Sequence, residues 1–227
     1  MIRQAMIFAA GEGRRMRPLT LDCPKPLLSV AGRPLLAWHL DRLVAAGVQR
    51  VVINLHYLAD QLRQWVKQSA PVELEIVFSE EAQLLETGGG LLQALPLLDS
   101  APFWLINGDI WLDSLPIAPQ LEAEELGRLW LVPNPPHHPE GDFILSGTRQ
   151  RATFSGCSLL KPELLSTAQL EAAFGHTPQG AFKLAPLLHK ALEQGRLNTA
   201  LYTQGWMDVG TPERLEALRA HLAEATQ

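Results

Sequence analysis

The chain alternates short, almost wholly apolar runs with longer stretches whose apolar positions recur at helical spacing. "AMIFAA" is followed by "PLLAWHLDRLVAAG", then by "RVVINL", "LADQLRQWVKQ" and "LEIVFS". Strand-length runs without polar alternation are the pattern of strands buried on both faces, as in a parallel sheet covered by helices. Pro34 and Gly47 bracket an amphipathic helix over Leu35 to Ala46. Proline suits the first helical position and glycine the left-handed residue just past the last. Further on, "TGGGLLQALPLL" reads as a helix entered through a glycine turn, "PFWLING" as a buried strand and "RLWLVPN" as another. This order predicts an α/β fold: a doubly wound, mostly parallel sheet of Rossmann-like architecture with right-handed crossovers.

The pattern changes between Asn134 and Gly156, "NPPHHPEGDFILSGTRQRATFSG", where prolines and glycines bracket two short runs able to pair as a hairpin. Residues 134–156 therefore read as a small inserted β lid within one domain spanning 1–227. A helical "FKLAPLLHKALEQG", a strand "NTALYT" and a last helix "TPERLEALRAHLAEA" return the chain to the main sheet. Thr211 suits the N-cap of that last helix and Pro212 its first position.

Composition narrows the class of partner. With 227 residues, 47% hydrophobic and 19% charged, the chain fits a single globular domain. A net charge of −5 excludes the broad basic footprint that nucleic acid demands. The opening apolar run is far shorter than the roughly 20 residues of a membrane span and leads into glycine and arginine rather than a cleavage site. The two cysteines, Cys23 and Cys157, have no metal-ligand spacing. Together these features predict a cytoplasmic protein with no membrane partner.

Ligands of open α/β sheets sit beyond the carboxyl ends of the strands, and three chemically suggestive segments fall there. The first is "FAAGEGRRMRP", where Gly11 and Gly13 let backbone N–H groups approach a ligand beside Arg14, Arg15 and Arg17. A P-loop needs Gly-Lys-Ser/Thr after its second glycine, and a dinucleotide fingerprint needs a third glycine where Met16 stands, so both are excluded. Lys25, between Pro24 and Pro26, is a cation on restricted backbone, suited to clamping phosphate. The other two segments end in Asp109 and Asp208, 208 − 109 = 99 residues apart. Two carboxylates at converging strand ends suit Mg²⁺, which pairs a few hard oxygens with those of phosphates.

"MIFAAGEGRRMRPLT…PKPLL", "ETGGG", "NGD" and "WMDVGTPERL", in that order, resemble the signature of the sugar-1-phosphate nucleotidylyltransferases from Ala5 to about Leu218. The resemblance implies a Mg²⁺-dependent attack of a sugar-1-phosphate on the α-phosphorus of a nucleoside triphosphate, with pyrophosphate leaving. It implies that Ala10, Gly11 and Gly13 approach the nucleotide and that Arg14 and Lys25 hold its phosphates. Asp109 and Asp208 would bind the metal. Gly88 would lie against the base, Glu86 and Thr87 would shape that edge of the pocket, and Gln83 could read the base.

Within the family, "LETGGG", "PNPPHHPEGDF", "FSG" and "GAFKLAPLL" resemble the uridylyltransferases acting on N-acetylmuramate-1-phosphate in cell-wall peptidoglycan recycling, which points to UTP. Lys183 would then meet the lactyl carboxylate or the sugar phosphate, with Asn134, Asp142 and Ser155 reaching sugar hydroxyls or the acetamido group. His137 and His138 lack further ligands at metal spacing and read as loop residues. Trp38, Trp104 and Trp130 read as core, and Trp111 and Trp206 as cleft residues. The sequence shows no hexapeptide repeats, so a monomer is plausible. The alternatives are mannose-1-phosphate guanylyltransferase, glucose-1-phosphate thymidylyltransferase and a non-catalytic binder of sugar nucleotides.

Overall fold

The computed structural model describes residues 1–225. The first half contains β1 (Gln4–Phe8), β2 (Ser29–Val30), β3 (Arg33–Pro34), α1 (Leu35–Ala45), β4 (Arg50–Leu55), α2 (Ala59–Ser69), β5 (Glu75–Glu80) and α3 (Glu86–Ala94). Next come β6 (Phe103–Asn107), β7 (Ile110–Leu112), β8 (Gly127–Val132), β9 (Phe143–Ile144) and β10 (Arg151–Leu160). The chain closes with α4 (Thr167–Phe174), α5 (Ala185–Glu193), β11 (Leu197–Leu201), β12 (Trp206–Asp208) and α6 (Pro212–Ala225).

The main sheet runs β11-β8-β10-β6-β1-β4-β5, with β9 hydrogen-bonded to the start of β10. Pairings β1·β4, β1·β6, β4·β5 and β8·β11 are parallel. The fold is thus the expected α/β class with a mostly parallel sheet. β10 runs antiparallel to both its neighbours. This strand begins inside the proline- and glycine-rich segment. Its first residues pair with β9 as a short hairpin, and the same strand then continues into the centre of the sheet.

Strand alternation divides the apolar residues between two layers. Ala5, Ile7, Val51, Ile53, Trp104 and Ile106 pack under α1 and α2, whereas Met6, Val52, Phe103 and Leu105 pack under α3, α4 and α5. Trp104 and Trp130 stack at 5.2 Å inside the first layer. On α1, His39 is fully buried. Burial, reinforced by Arg42, pushes its imidazole down to about 3, so it is neutral at physiological pH.

A third, smaller cluster joins Met16, Leu28 and Val30 to Trp111, Val209, Leu215 and Leu218. It fastens the N-terminal loop to α6 and to the two-stranded ladder β7·β12. Trp111 packs edge-on against Trp38 at 5.4 Å within this cluster, so it is a core residue and not the cleft residue its position beside Asp109 suggests.

Candidate functional site

The carboxyl ends of β1, β4, β5 and β6 open into a cleft of about 530 Å³. Ala9, Ala10, Gly11 and Gly13 form its floor, and Arg14, Arg15 and Lys25 stand on one side. Gly13 turns the loop through a left-handed conformation (φ 60°), and its carbonyl accepts from Met16 N at 2.8 Å and from Thr20 Oγ1 at 2.8 Å. A Cβ there would stand 2.9 Å from Thr20 Cγ2, so both backbone and space call for glycine.

The opposite wall rests on a buried relay. Ala9 N donates to Asn54 Oδ1 at 2.6 Å, Asn54 Nδ2 donates to Glu81 Oε1 at 2.7 Å, and Leu85 N donates to Glu81 Oε2 at 3.0 Å. Side chains from the ends of β4 and β5 thereby tie the phosphate-type loop to the start of α3.

Asp109 lies between this cleft and a second one of about 350 Å³. Arg15 and Asn107 also line both. Lys25 is 9% exposed, in a short 3-10 turn entered from Pro24, and its Nζ meets Asp109 Oδ2 at 2.6 Å. Burial works against ionisation of Asp109, but the Lys25 charge and hydrogen bond, helped by Arg15, outweigh it and hold the carboxyl below its usual range. Asp109 is therefore an anion at neutral pH.

Asp208 is brought to Asp109 by the β7·β12 ladder, which sets Asp208 opposite Ile110 while Val209 N donates to Asp109 O at 2.9 Å. Its Oδ2 meets Arg214 Nη1 at 3.3 Å and His137 Nε2 at 3.5 Å. Two carboxylates 99 residues apart in sequence, 208 − 109, thus border one cleft, with cations behind each.

The remaining expected residues divide into those that reach a cleft and those the fold uses elsewhere. Glu86 and Thr87 line the first cleft. Arg14 lines it too, while its guanidinium is held by Glu12 at 2.6 Å. Gly88 is buried against Phe182, whose carbonyl accepts from Gly88 N at 2.8 Å, so its Cα faces that ring and not the cleft. Gln83 is exposed and lines neither cleft.

Asp142 lines the smaller cleft, with one oxygen on His138 Nε2 at 2.9 Å and the other on Phe154 N at 2.8 Å. Asn134 is spent on loop contacts with Pro139 O, Arg151 O and Thr153 Oγ1. The hydroxyl of Ser155 is buried and accepts from Cys157 N at 3.2 Å, where β10 shifts register against β8. Lys183 is exposed on the loop before α5 and lines neither cleft.

Sequence reasoning passed over Asn107, Asn54 and Glu81, named Arg15 only as part of the cationic loop, and read the two histidines as loop residues. Asn54 and Glu81 sit where strands end, a position that marks ligand-facing residues in such sheets. His137 and His138 were set aside for lacking metal spacing, yet both line the smaller cleft beside Trp206. Among the described residues, no group of three or more His, Cys, Asp or Glu converges to hold a metal alone. Asp109 and Asp208 as two hard oxygen donors beside a cleft lined by Arg14, Arg15 and Lys25 have the chemistry to hold a divalent ion that takes further ligands from phosphates.

Comparison with known proteins agrees with this geometry. The family model described as nucleotidyl transferase matches residues 4–125, which hold the loop, Lys25, Asn54, Glu81 and Asp109. The chain is 41% identical to the N-acetylmuramate alpha-1-phosphate uridylyltransferase of Neisseria meningitidis serogroup B, over 96% of this chain and 97% of that one. It is 35% identical to the protein of the same description from Caulobacter vibrioides, over 97% of each. A mannose-1-phosphate guanylyltransferase catalytic subunit beta from Xenopus tropicalis is 38% identical over 92% of this chain and 62% of its own length. The fold is shared with HddC from Yersinia pseudotuberculosis, whose crystal structure is of a complex with GMP-PN, at a TM-score of 0.70 and 20% identity, covering 97% of this chain and 100% of that one. The chain belongs to the nucleotidyl transferase family, among its sugar-1-phosphate nucleotidylyltransferases.

Proposed function

We propose that the protein transfers a uridylyl group from UTP to N-acetylmuramate-1-phosphate with Mg²⁺, giving UDP-N-acetylmuramate and pyrophosphate. The observation that carries this reading is the pair Asp109 and Asp208, brought together by the β7·β12 ladder at the smaller cleft, with Asp109 also lining the other. One cleft has the backbone and cations for a triphosphate, and the other is bordered by both carboxylates and by polar side chains.

The nucleophile is a phosphate oxygen. With a second pKa of about 6, a phosphate monoester is largely deprotonated at neutral pH and needs no strong general base. The protein's part is to align two anions and offset charge as pyrophosphate leaves. Ala10, Gly11 and Gly13 bring backbone to the triphosphate, and Lys25, Arg14 and Arg15 supply positive charge. Asp109 and Asp208 would hold the metal, which when bound neutralises phosphate charge and fixes oxygen positions. Asp142, Thr153, His137 and His138 are polar groups available to the sugar, and residues 134–156 act as a lid over it. The reaction belongs to peptidoglycan recycling in the cytoplasm, and the protein works as a monomer.

One observation favours a second reading. Lys183, the residue whose charge would select a lactyl carboxylate, is exposed outside both clefts. A neutral sugar phosphate, mannose-1-phosphate with GTP, is therefore the competitor. Pyrophosphate release is compared for UTP plus N-acetylmuramate-1-phosphate, GTP plus mannose-1-phosphate and dTTP plus glucose-1-phosphate. The first pair should give a kcat/KM at least tenfold above the others. A preference for either other pair overturns the substrate assignment.

A further inference from the structure

Arg214, in the first turn of α6, is not explained by packing alone. Its side chain is 19% exposed, its Nη1 reaches Asp208 Oδ2 at 3.3 Å, and its Nε and Nη2 are buried without a hydrogen-bond partner. Buried donors are almost always met, so a guanidinium that leaves two unmet is a costly way to fill space. Its location is nevertheless built for. Gly210, between Asp208 and Arg214, has a bare Cα against which Nη2 packs. A Cβ there would collide with Nη2 and stand 2.8 Å from Asp208 Oδ1. Thr211 Oγ1 accepts from Arg214 N at 3.4 Å, so the same turn fixes where the arginine leaves the helix.

The contacts of Asp208 with Arg214 Nη1 and with His137 Nε2, the latter at 3.5 Å, both fall on Oδ2. Oδ1 carries no hydrogen bond or ion pair among the described residues. The arrangement resembles that at Asp109, where Lys25 likewise takes Oδ2. A carboxylate gripped through one oxygen from behind presents the other in a fixed direction, which is how outer groups orient metal ligands.

We propose that Arg214 is a positioning residue for metal binding: it holds Asp208 through Oδ2 so that Oδ1 faces the ion. This rests on the reading of Asp208 as a metal ligand. A planar guanidinium constrains the carboxylate in a way a lysine ammonium does not.

The test uses the full chain saturated with UTP, without sugar phosphate, and Mn²⁺ as the probe. Binding is read by the enhancement of water-proton relaxation that accompanies formation of the protein-bound Mn²⁺ complex. Arg214→Met should weaken Mn²⁺ binding by about 10-fold to 100-fold, the range for lost outer-shell partners. Arg214→Lys should recover part of that loss, a graded response that a purely structural role does not give. Asp208→Asn is the control. If it leaves Mn²⁺ binding unchanged, the metal-site reading fails and this inference with it. If Asp208→Asn abolishes binding while Arg214→Met leaves it unchanged, only the positioning role is overturned. Should Arg214→Met not fold, Arg214→Lys decides: affinity equal to the unaltered protein's refutes the proposal, and a several-fold loss supports it.

Discussion

At the scale of single residues, the site depends on which of several identical side chains the fold aims inward. Arg14 and Arg15 are exposed neighbours of the same type that both line the first cleft, yet Arg14 is tied to Glu12, whereas Arg15 also lines the second cleft beside Asp109 and Asp208. Removing a preorganised charge from a reacting centre costs about 10² to 10³ in kcat. Arg15→Met should therefore lose about that much at saturating substrates, and Arg14→Met about tenfold or less; equal losses would show that Arg14 swings inward on binding. His39 carries the clearest pH dependence. Burial lowers its pKa from 6.5 to about 3, so between those values the unfolded chain binds a proton that the folded chain refuses. Stability then falls as pH falls through that window, by about 1.4 kcal/mol per unit, or about 2 kcal/mol from pH 6.5 to 5. His39→Leu removes this slope. Its urea midpoint should fall less than that of the unaltered protein between pH 7 and 5, and parallel falls would assign the acid sensitivity elsewhere.

At the scale of elements, the strands and helices were legible because each obeys its own periodicity. "RVVINL" and "LEIVFS" are β4 and β5, and the helix bracketed by Pro34 and Gly47 is α1. The antiparallel β10 was not legible, because "RATFSGCSLL" carries no sign of direction and its first half lies in a stretch rich in turn residues. The same holds for the site. Gly13, Lys25, Asp109 and Asp208 could be read because glycine conformation, proline restriction and strand ends are local. The fates of Asn134 and Ser155 depend on partners 17 residues away or on a register shift, and so could not be. The glycines of "ETGGG" show a local motif serving a distant contact. They lie within α3 rather than before it, and Gly88 N and Gly89 N both donate to Phe182 O, at 2.8 and 3.2 Å. A Cβ on Gly89 would collide with the carbonyl of Gly180, which is backbone and cannot rotate away. Gly89→Ala should accordingly lift the 180–184 loop off α3. Limited proteolysis should then cut near Phe182 several-fold faster than in the unaltered chain, and an unchanged rate would mean that α3 shifts instead.

At the scale of the molecule, the site is assembled from both ends of the chain and from its middle. The phosphate-type loop follows β1, Asp109 follows β6, and Asp208 ends β12. α6 closes the circuit: Leu215 and Leu218 pack on Met16 and Val30, and Arg219 Nε and Nη2 donate to Ser29 O at 2.9 and 2.7 Å. The third cluster joins the N-terminal loop, the β7·β12 ladder and α6, so unfolding should be a single cooperative event and ligand should move all of it. A ligand binding only the folded state at 100 times its dissociation constant adds about 2.7 kcal/mol. For a chain of this size that corresponds to roughly 5 to 11 °C in Tm. With UTP and Mg²⁺ at that excess, far-ultraviolet circular dichroism and tryptophan fluorescence should show one coincident transition displaced by that amount. Fluorescence is a fair witness because Trp104 and Trp130 report one sheet face and Trp111 the cluster under α6. Two transitions, with only one of them displaced, would mean that α6 and the β7·β12 ladder unfold apart from the sheet. Asp208 would then be delivered to the site by ligand binding rather than held there by the fold.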